Sequence, residues 1–371
     1  MPVHQERPLR RGWTTGACAT AAAKAAYTAL LGGAFPDPVE IGLPGGKRTS
    51  FALAETTLGV NSASAGVVKD AGDDPDVTHG ALIRATVRLA PRGSGVLFRA
   101  GPGVGTVTRP GLPVPPGEPA INPVPRTMIR VALAETGGSG DVEVEISVPG
   151  GAVLAERTLN GRLGIVGGLS ILGTTGLVIP FSCAAWIDSI HRGIDVARAM
   201  GVPHIAGSTG RTSELAVQGL HELPEVALIE MGDFVGGMLK YLRAHPVKRL
   251  TIAGGLAKMT KLGQGRLDLH SRRGEADLAG LAALAMRHGA TPALGKAIAD
   301  ANTVAQAFAL AADAVPLGDA VAEAAWRVAA DALRSAGSEL EIVVFDREGA
   351  MLGQAGFAPV HAALPGRNRR W

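Results

Sequence analysis

Clustered positive charge and aromatic residues are both scarce in this sequence. Aromatic residues make up 4% of the 371 residues, and the formal net charge is only +3, with lysine and arginine scattered along the chain. Proteins that bind nucleic acids usually show a massed basic patch or aromatic side chains on which bases stack. We therefore expect no nucleic-acid partner.

Cysteine is almost absent. Cys18 and Cys183 lie far apart, in apolar surroundings, and show neither a CxxC pair nor a metal-ligand spacing. Such cysteines are typical of reduced, buried thiols in a cytoplasmic protein. We expect neither a disulfide framework nor a metal bound by cysteine.

Long apolar runs are missing as well. The most apolar segment, residues 165–181, is interrupted by glycines and a proline and is too short to span a bilayer. Residues 1–11 are charged and lack the apolar core of a signal peptide. The sequence therefore predicts a cytoplasmic protein with no membrane segment.

The composition is that of a folded globular protein. Hydrophobic residues make up 46% and charged residues 19% of the chain, which argues against disorder. A chain of this length exceeds one ordinary hydrophobic core, so we expect two domains. A change in pattern near residue 158 predicts domains at 1–158 and 159–371.

The first domain is predicted to be α+β. An Ala-rich helix over residues 17–31 follows Thr14-Thr15-Gly16, where a threonine can cap the free amides. Gly and Pro turns separate the other elements. Strands are predicted at 50–56, 81–89, 96–100, 106–109 and 142–148, and a short helix at 128–135.

The second domain is predicted to be a Rossmann-like α/β domain with a mostly parallel sheet. Its sequence repeats a strand, a Gly-containing loop and a helix, and such βα units are the pattern of parallel sheets. Ligands bind these sheets beyond the carboxyl ends of the strands. Strands are predicted at 163–166, 204–206, 226–229, 249–253 and 339–345, and helices at 182–200, at 212–220, up to 244 and within 281–335.

A proline-rich segment supplies the first candidate site. Residues 117–126 read Gly-Glu-Pro-Ala-Ile-Asn-Pro-Val-Pro-Arg, and prolines restrict both themselves and the residues before them. We expect Pro119, Pro123 and Pro125 to hold an extended arm that presents Asn122 and Arg126. A guanidinium there suits bidentate capture of a carboxylate. A surface loop with a solvated arginine is the alternative, which composition alone favours.

An acidic turn is the second candidate. Residues 69–76 read Lys-Asp-Ala-Gly-Asp-Asp-Pro-Asp, and Gly and Asp-Pro favour a turn over a helix. The oxygens could in principle bind a hard cation, but the EF-hand pattern is missing and Lys69 partly neutralises the charge. We do not expect a dedicated metal site here.

A Gly-rich loop over 161–176 is the leading candidate for cofactor binding. Glycines let the backbone approach a ligand, as they do where nucleotides bind α/β sheets; tight strand-to-helix packing is nearly as good an explanation. The candidate cofactor-binding residues are Gly164, Gly167, Gly168, Gly173, Thr174, Thr175 and Gly176. The rival Gly101-Pro-Gly-Val-Gly105 lies between short strands and is interpreted as a hairpin near the substrate.

A later strand end offers acidic cofactor candidates. Glu230 or Asp233 could accept the ribose hydroxyls of a nucleoside, and the alternative is an acid that stabilises a helix N-terminus. Lys258, Lys261 and His270 follow the next strand. They form either a solvated basic face or the lining of an anion site.

Several of these segments together resemble the cobalt-precorrin-5B C1-methyltransferase family. The blocks are residues 14–23 (Thr-Thr-Gly-Ala-Cys-Ala-Thr-Ala-Ala-Ala), 67–76, 120–126, 164–176 and 269–271. They occur in family order, whereas the final hundred residues carry no such block. Gly254-Gly255 stands where many relatives have Gly-His, so no role for a histidine there is carried over.

The resemblance implies S-adenosylmethionine-dependent methylation of C-1 of cobalt-precorrin-5B to cobalt-precorrin-6A in anaerobic cobalamin biosynthesis. The cobalt belongs to the substrate, so no protein-bound metal is expected. The corrinoid carries many carboxylates, which basic groups should line. The implied substrate-binding residues are Thr14, Thr15, Lys69, Asp70, Asn122, Arg126, Arg211, Lys258 and Lys261. His270 is the candidate catalytic residue because histidine exchanges protons near neutral pH, although a lone histidine is more often structural.

Two other functions are compatible with the pattern. A nucleotide-dependent oxidoreductase could use the same α/β crevice and would bind NAD(P) instead of S-adenosylmethionine. A tetrapyrrole carrier would bind the corrinoid and have no methyl-donor site. The sequence leaves open whether the chain forms a homo-oligomer.

Overall fold

The contacts of the chain divide it into two compact units. The computed structural model describes residues 8–312, 314–334 and 337–361. Unit 1 is Met1–Cys183 and unit 2 is Ala184–Trp371. The predicted boundary after residue 158 is therefore corrected, because segment 159–183 belongs to unit 1. Its short strands pair with strands near residue 105, a non-local pairing that the local pattern does not reveal.

Unit 1 contains short strands and three helices over its described residues. In chain order the elements are β1 (Gly12–Trp13), α1 (Thr15–Gly32), β2 (Val39–Gly42), β3 (Arg48–Phe51), β4 (Glu55–Leu58), β5 (Ser62–Val68), β6 (Leu82–Leu89), β7 (Val96–Ala100), β8 (Gly103–Val104), β9 (Thr106–Val107), α2 (Pro123–Ala134), β10 (Val142–Ser147), α3 (Gly151–Ala155), β11 (Ile165–Val166), β12 (Gly168–Leu169) and β13 (Leu177–Val178).

Helix α1 forms the centre of unit 1. It packs against β5, β6 and α2, on a five-stranded sheet of order β4-β5-β6-β10-β7. Its alanines favour helix and their small side chains permit close packing. The hydroxyl of Thr14 accepts a hydrogen bond from Ala17 N at 3.2 Å, and Gly33 closes the helix with φ 77°. The predicted helix and its threonine cap are confirmed.

Three local predictions in unit 1 are wrong. The strand predicted at 50–56 is split between β3 and β4, which lie in different sheets. The strands that flank residues 101–105, β7 and β9, do not form a hairpin, because β7 pairs with β10 and β9 pairs with β11. Helix α2 begins at Pro123, five residues before the predicted start at 128. Proline is favoured in the first turn of a helix, where the amides have no intrahelical partner.

Unit 2 alternates strands and helices and ends in an antiparallel pair of strands. In chain order its elements are α4 (Cys183–Ala199), β14 (His204–Ser208), α5 (Arg211–His221), β15 (Leu228–Glu230), α6 (Val235–Ala244), β16 (Arg249–Gly255), α7 (Leu256–Gly263), α8 (Leu278–Arg287), α9 (Pro292–Ala299), α10 (Val304–Ala311), α11 (Leu317–Leu333), β17 (Glu339–Phe345) and β18 (Met351–Pro359).

The sheet of unit 2 has the order β15-β14-β16-β17-β18. The first four strands are mutually parallel and β18 is antiparallel to β17. Residues alternate between two cores: Ile205 and Ile252 belong to the core that includes α6, α7 and α11, whereas Ala206 and Ala253 face the core that includes α5. The sequence missed β18 and wrongly assigned 163–166 to this sheet. The Rossmann-like assignment itself stays a prediction.

Within the described residues, no helix has the length and apolar character needed to cross a membrane.

Candidate functional site

The motif residues of unit 1 converge on the amino end of α1. Thr14 N donates to Gly176 O at 3.0 Å and Gly16 N donates to Leu172 O at 3.0 Å. The hydroxyl of Thr15 accepts from Leu172 N at 2.9 Å. Two predicted substrate-binding residues, Thr14 and Thr15, and the end of the predicted cofactor loop are therefore parts of one hydrogen-bonded structure. Both threonines are buried.

Several glycines of this loop are required by packing within unit 1. Gly173 has φ 125°, and a side chain there would collide with Thr14. A side chain at Gly164 or Gly168 would collide with Arg109 or with the backbone of Gly103, respectively. This close packing explains the glycines and involves no strand-to-helix turn of the parallel sheet.

Three members of the predicted cofactor loop face open surroundings. At Gly167, with φ 91°, an added side chain would meet no atom within 4 Å. Thr174 and Thr175 are exposed, and the Thr175 hydroxyl lies 3.3 Å from Leu177 N. The loop therefore has exposed members beside those that pack inside unit 1, and its role in cofactor binding stays a prediction.

Carboxylates of the acidic turn hold backbone amides of unit 1. Asp73 accepts a hydrogen bond from Arg10 N at 2.6 Å, and Asp74 accepts one from Phe181 N at 2.8 Å. Asp70 forms an ion pair with the Arg10 guanidinium, whose hydrogen bond lowers the pKa of Asp70 to about 2. No group of three or more metal-ligating side chains occurs in the part of the chain that the structure describes.

Lys69 is part of the interior of unit 1. Its side chain is 1% exposed, and its ammonium lies 2.7 Å from Asp76 Oδ2. Burial raises the pKa of Asp76, but hydrogen bonds from Lys69 and Thr78 outweigh this effect and leave that pKa below its usual value. Lys69 is thus placed to stabilise the turn.

Burial also raises the pKa of the Cys18 thiol to about 12. Cys18 is thus held as an unreactive thiol.

Arg126 lies in the first turn of α2, so the predicted extended arm is wrong. Its guanidinium donates to Ile121 O at 2.8 Å and Pro119 O at 3.0 Å, and it forms an ion pair with Glu118 at 3.1 Å. Every nitrogen is engaged in holding the preceding loop. Asn122 is the cap residue of α2, and its side chain makes no hydrogen bond within the described residues.

The predicted polar residues of unit 2 gather where β14, β15 and β16 end. The Lys258 ammonium donates a hydrogen bond to Thr209 O at 2.8 Å. It also lies 3.1 Å from Asp233 Oδ1 and forms an ion pair with it, although the angles there are not those of a hydrogen bond. Lys258 therefore joins the loops that follow β14 and β15 at the carboxyl edge of the parallel strands. Ligands bind sheets of this kind at that edge.

Two polar groups at this edge have no partner among the described residues. Ser208, the last residue of β14, is fully buried and its hydroxyl makes no hydrogen bond. Glu230, the last residue of β15, lies beside Ser208 in the parallel register. Its carboxylate forms no hydrogen bond or ion pair in the described part of the chain. A buried hydroxyl without a partner is costly, so a ligand group that hydrogen-bonds to it would be stabilised there.

The same edge also presents cationic groups. Helices α5 and α7 begin at Arg211 and Leu256 without a side-chain cap, so their first amides remain available to an anion. Lys261 is 7% exposed and donates to Leu269 O at 3.1 Å; no carboxylate within the described residues pairs with it. Arg211 is largely exposed and pairs with Glu214 at 3.2 Å.

His270 is close to this edge but is partly engaged. Leu269 N donates to Asp233 O at 2.9 Å, which brings the segment before His270 next to the end of β15. The His270 Nδ1 accepts a hydrogen bond from Arg272 N at 3.1 Å and caps a short 3-10 helix. The catalytic role stays a prediction. Sequence reasoning missed Ser208, although it ends an apolar strand just before a Gly-containing loop.

Comparison with known proteins identifies the family. A model described as CbiD matches residues 2–180, and one described as the CbiD C-terminal domain matches residues 268–356. The first match ends close to the boundary between the two units. The second covers the region in which the sequence showed no recognised block.

Curated relatives match over nearly the full length. Proteins named cobalt-precorrin-5B C(1)-methyltransferase are 62% identical over 370 residues in Agrobacterium fabrum and 63% identical over 369 residues in a Bradyrhizobium species, covering 98% of both chains in each case. The relative of that name from Halorhodospira halophila is 61% identical and covers 94% of this chain and 95% of its own.

A solved structure described as a cobalamin biosynthesis protein (cbiD) from Archaeoglobus fulgidus is 28% identical. It covers 67% of this chain and 77% of its own, with a TM-score of 0.38. The two domain matches and the full-length relatives establish the family: the chain belongs to the CbiD family.

Proposed function

We propose that this protein methylates C-1 of cobalt-precorrin-5B to give cobalt-precorrin-6A, with S-adenosylmethionine as the methyl donor. The observation that carries the proposal is the identity of 62–63% over 98% of both chains with enzymes named for this methylation. The cobalt arrives with the substrate, so the reaction asks for no resident metal.

The donor site is proposed at the carboxyl edge of the parallel strands in unit 2. Glu230 supplies an unpaired carboxylate that can accept hydrogen bonds from the ribose hydroxyls. The uncapped start of α5 and the ammonium of Lys258 suit the donor's carboxylate. The unpartnered hydroxyl of Ser208 supports a ligand at this position.

The substrate is proposed to bind near the amino ends of α1 and α2 in unit 1. Of the predicted substrate-binding residues there, Asn122 is the one whose side chain is free of intramolecular hydrogen bonds in the described chain. Thr15, Lys69 and Arg126 shape this region through their contacts within the protein. Exposed Leu172 adds an apolar surface beside them.

The methyl transfer depends more on the alignment of donor and acceptor than on general acid–base catalysis. The donor is a sulfonium, so its leaving group needs no proton. Holding the ring carbon in line with the methyl group and excluding water therefore supplies the main rate enhancement. His270 is the candidate for removing a proton from the macrocycle. Its Nδ1 accepts a hydrogen bond from Arg272 N, which leaves the proton of the neutral ring on Nε2, so Nδ1 would have to exchange that bond for the substrate proton.

The test is incubation of the protein with cobalt-precorrin-5B and a methyl-labelled donor, followed by mass spectrometry. We expect a gain of one labelled methyl group that requires both the donor and the protein. Tight corrinoid binding without a mass change would instead favour a carrier. A change in mass that depends on NAD(P) and not on the methyl donor would favour an oxidoreductase.

A cytoplasmic location and the formation of a homo-oligomer stay predictions alongside this function.

A further inference from the structure

Phe181 has an unusual backbone conformation. Its φ is 55°, in the left-handed region, which a bulky side chain rarely adopts. The other described non-glycine residues with positive φ are Glu222 and Arg334, which close α5 and α11. Left-handed residues are common at that position of a helix. Phe181 closes no helix, so the usual explanation does not apply to it.

A carboxylate of the acidic turn holds this conformation. Asp74 Oδ1 accepts a hydrogen bond from the Phe181 backbone amide at 2.8 Å. The turn itself is fastened to unit 1 through Asp73, which accepts from Arg10 N, and through Asp70 O, which accepts from Trp13 N at 2.7 Å. The Phe181 amide is therefore held by a well-anchored part of unit 1.

The arrangement does not bury the Phe181 side chain. The residue is 67% exposed, although aromatic side chains are usually buried. Ile179 and Leu172, on the same segment, are 52% and 48% exposed. The segment runs along the amino end of α1, because Gly176 O accepts from Thr14 N and Val178 pairs with Gly12. An apolar strip thus borders the region assigned above to the substrate.

We propose that Phe181 is a substrate-contact residue whose ring packs on a face of the corrinoid macrocycle, with Asp74 as its positioning residue. This inference rests on the proposed function. A corrinoid precursor combines a large, flat, partly conjugated ring with a charged rim, and an aromatic ring is suited to such a face. Unfavourable backbone conformations persist at sites where they serve binding. Hydrophobic stabilisation of unit 1 does not explain a ring that is mostly in solvent.

The decisive variant is Phe181→Gly. Glycine adopts the left-handed conformation without strain, so a merely structural Phe181 predicts equal or higher thermal stability and unchanged kinetics. The proposal predicts the same stability but a KM for cobalt-precorrin-5B raised about tenfold, with donor affinity unchanged. Phe181→Tyr keeps the ring and should restore KM to within about twofold of the parent.

Substitutions of Asp74 provide an independent test. Asp74→Ala removes the acceptor and should raise the substrate KM severalfold, whereas Asp74→Asn keeps a carbonyl oxygen in place and should recover most of the loss. Val153→Ala removes an exposed apolar side chain elsewhere in unit 1 and should behave like the parent. Parent-like KM in a folded Phe181→Gly protein overturns the inference while leaving the proposed methylation intact. A parent that neither binds nor methylates the corrinoid overturns both.

Discussion

In unit 1, Asp73, Asp74 and Asp76 each bind a group of their own unit, and the Arg126 guanidinium contacts two carbonyls and a carboxylate. In unit 2, by contrast, the Ser208 hydroxyl is buried without a partner. The neighbouring Glu230 carboxylate is likewise unpaired in the described chain. Unit 1, which contains most of the sequence motifs, therefore uses their polar side chains mainly to hold its own loops. Unit 2, which contains fewer motifs, has polar side chains without partners at the carboxyl edge of its sheet.

The comparison separates two reasons why a polar residue is placed where it is. A charged group that already has hydrogen-bond partners stabilises a loop, and a ligand would have to replace those partners. A buried group without partners lowers stability until a ligand or water binds it. We expect substitutions of the first kind to change unfolding and those of the second kind to change binding, with Asp74 as the exception because its partner, Phe181, is the proposed substrate contact.

The largest effect is expected at the buried ion pair of unit 1. Asp76→Ala leaves the Lys69 ammonium, which is 1% exposed, without its carboxylate. Removing one partner of a buried pair costs about 3–5 kcal/mol, and the 25% exposure of the Asp76 side chain places this pair near the lower end of that range. The free energy of unfolding, measured by urea denaturation, should fall by about 3 kcal/mol or more. Donor affinity of the folded fraction should not change.

The control for this substitution is Asp70→Ala in the same turn. Its ion pair with Arg10 is exposed, with side-chain exposures of 43% and 57%, and exposed pairs contribute about 0–1 kcal/mol. Equal losses of stability in the two variants would contradict the structural role assigned to Lys69 and Asp76.

A smaller effect is expected at Arg126. Arg126→Ala removes the hydrogen bonds to Ile121 O and Pro119 O and the ion pair with Glu118. Hydrogen bonds to charged groups contribute about 1.5–3 kcal/mol, so we expect a loss of about 2 kcal/mol in unfolding free energy. Arg126→Lys should recover little, since one ammonium cannot reproduce the planar set of donors.

The original arm hypothesis makes the opposite prediction for Arg126. A cation presented to the substrate would leave stability unchanged in Arg126→Ala and reduce kcat/KM by about ten- to a hundredfold. Thermal melts and steady-state kinetics on the same two variants distinguish these outcomes.

Local sequence rules predicted the elements whose causes are local. The α1 helix was predicted because Thr14 can cap it and an alanine run follows. Residues 249–253 were predicted as a strand from apolar content, and they lie within β16. The rules failed where one residue type is compatible with two local structures. Pro123 is compatible with an extended arm and with the first turn of a helix, and only packing decides between them.

The candidate site was predicted in part. Glu230 and Asp233 were predicted to lie at a strand end because βα patterns reveal such ends, and β15 does end at Glu230. Their role in donor binding stays a prediction. The start of the glycine loop was wrongly placed in the parallel sheet because β11 and β12 pair with strands about sixty residues earlier in the chain, a non-local contact that periodicity does not encode. Its role in cofactor binding stays a prediction. The left-handed Phe181 and the unpartnered Ser208 depend on tertiary contacts and could not be recognised from residue type.

The central claim is that the methyl donor binds unit 2 at the carboxyl edge of the sheet, and isothermal titration calorimetry with S-adenosylmethionine tests it most directly. Glu230→Gln keeps the size of the side chain but loses the charge and one acceptor, so donor affinity should fall about tenfold. Glu339→Gln, the same change at the start of β17 and the opposite end of the sheet, should bind like the parent. Gly167→Ala in the unit 1 loop places a methyl group in open space but on a strained left-handed backbone (φ 91°), so it should lower stability and leave donor affinity of the folded protein unchanged. Unchanged affinity in Glu230→Gln together with lost affinity in a folded Gly167→Ala protein would contradict the account and return the donor to unit 1.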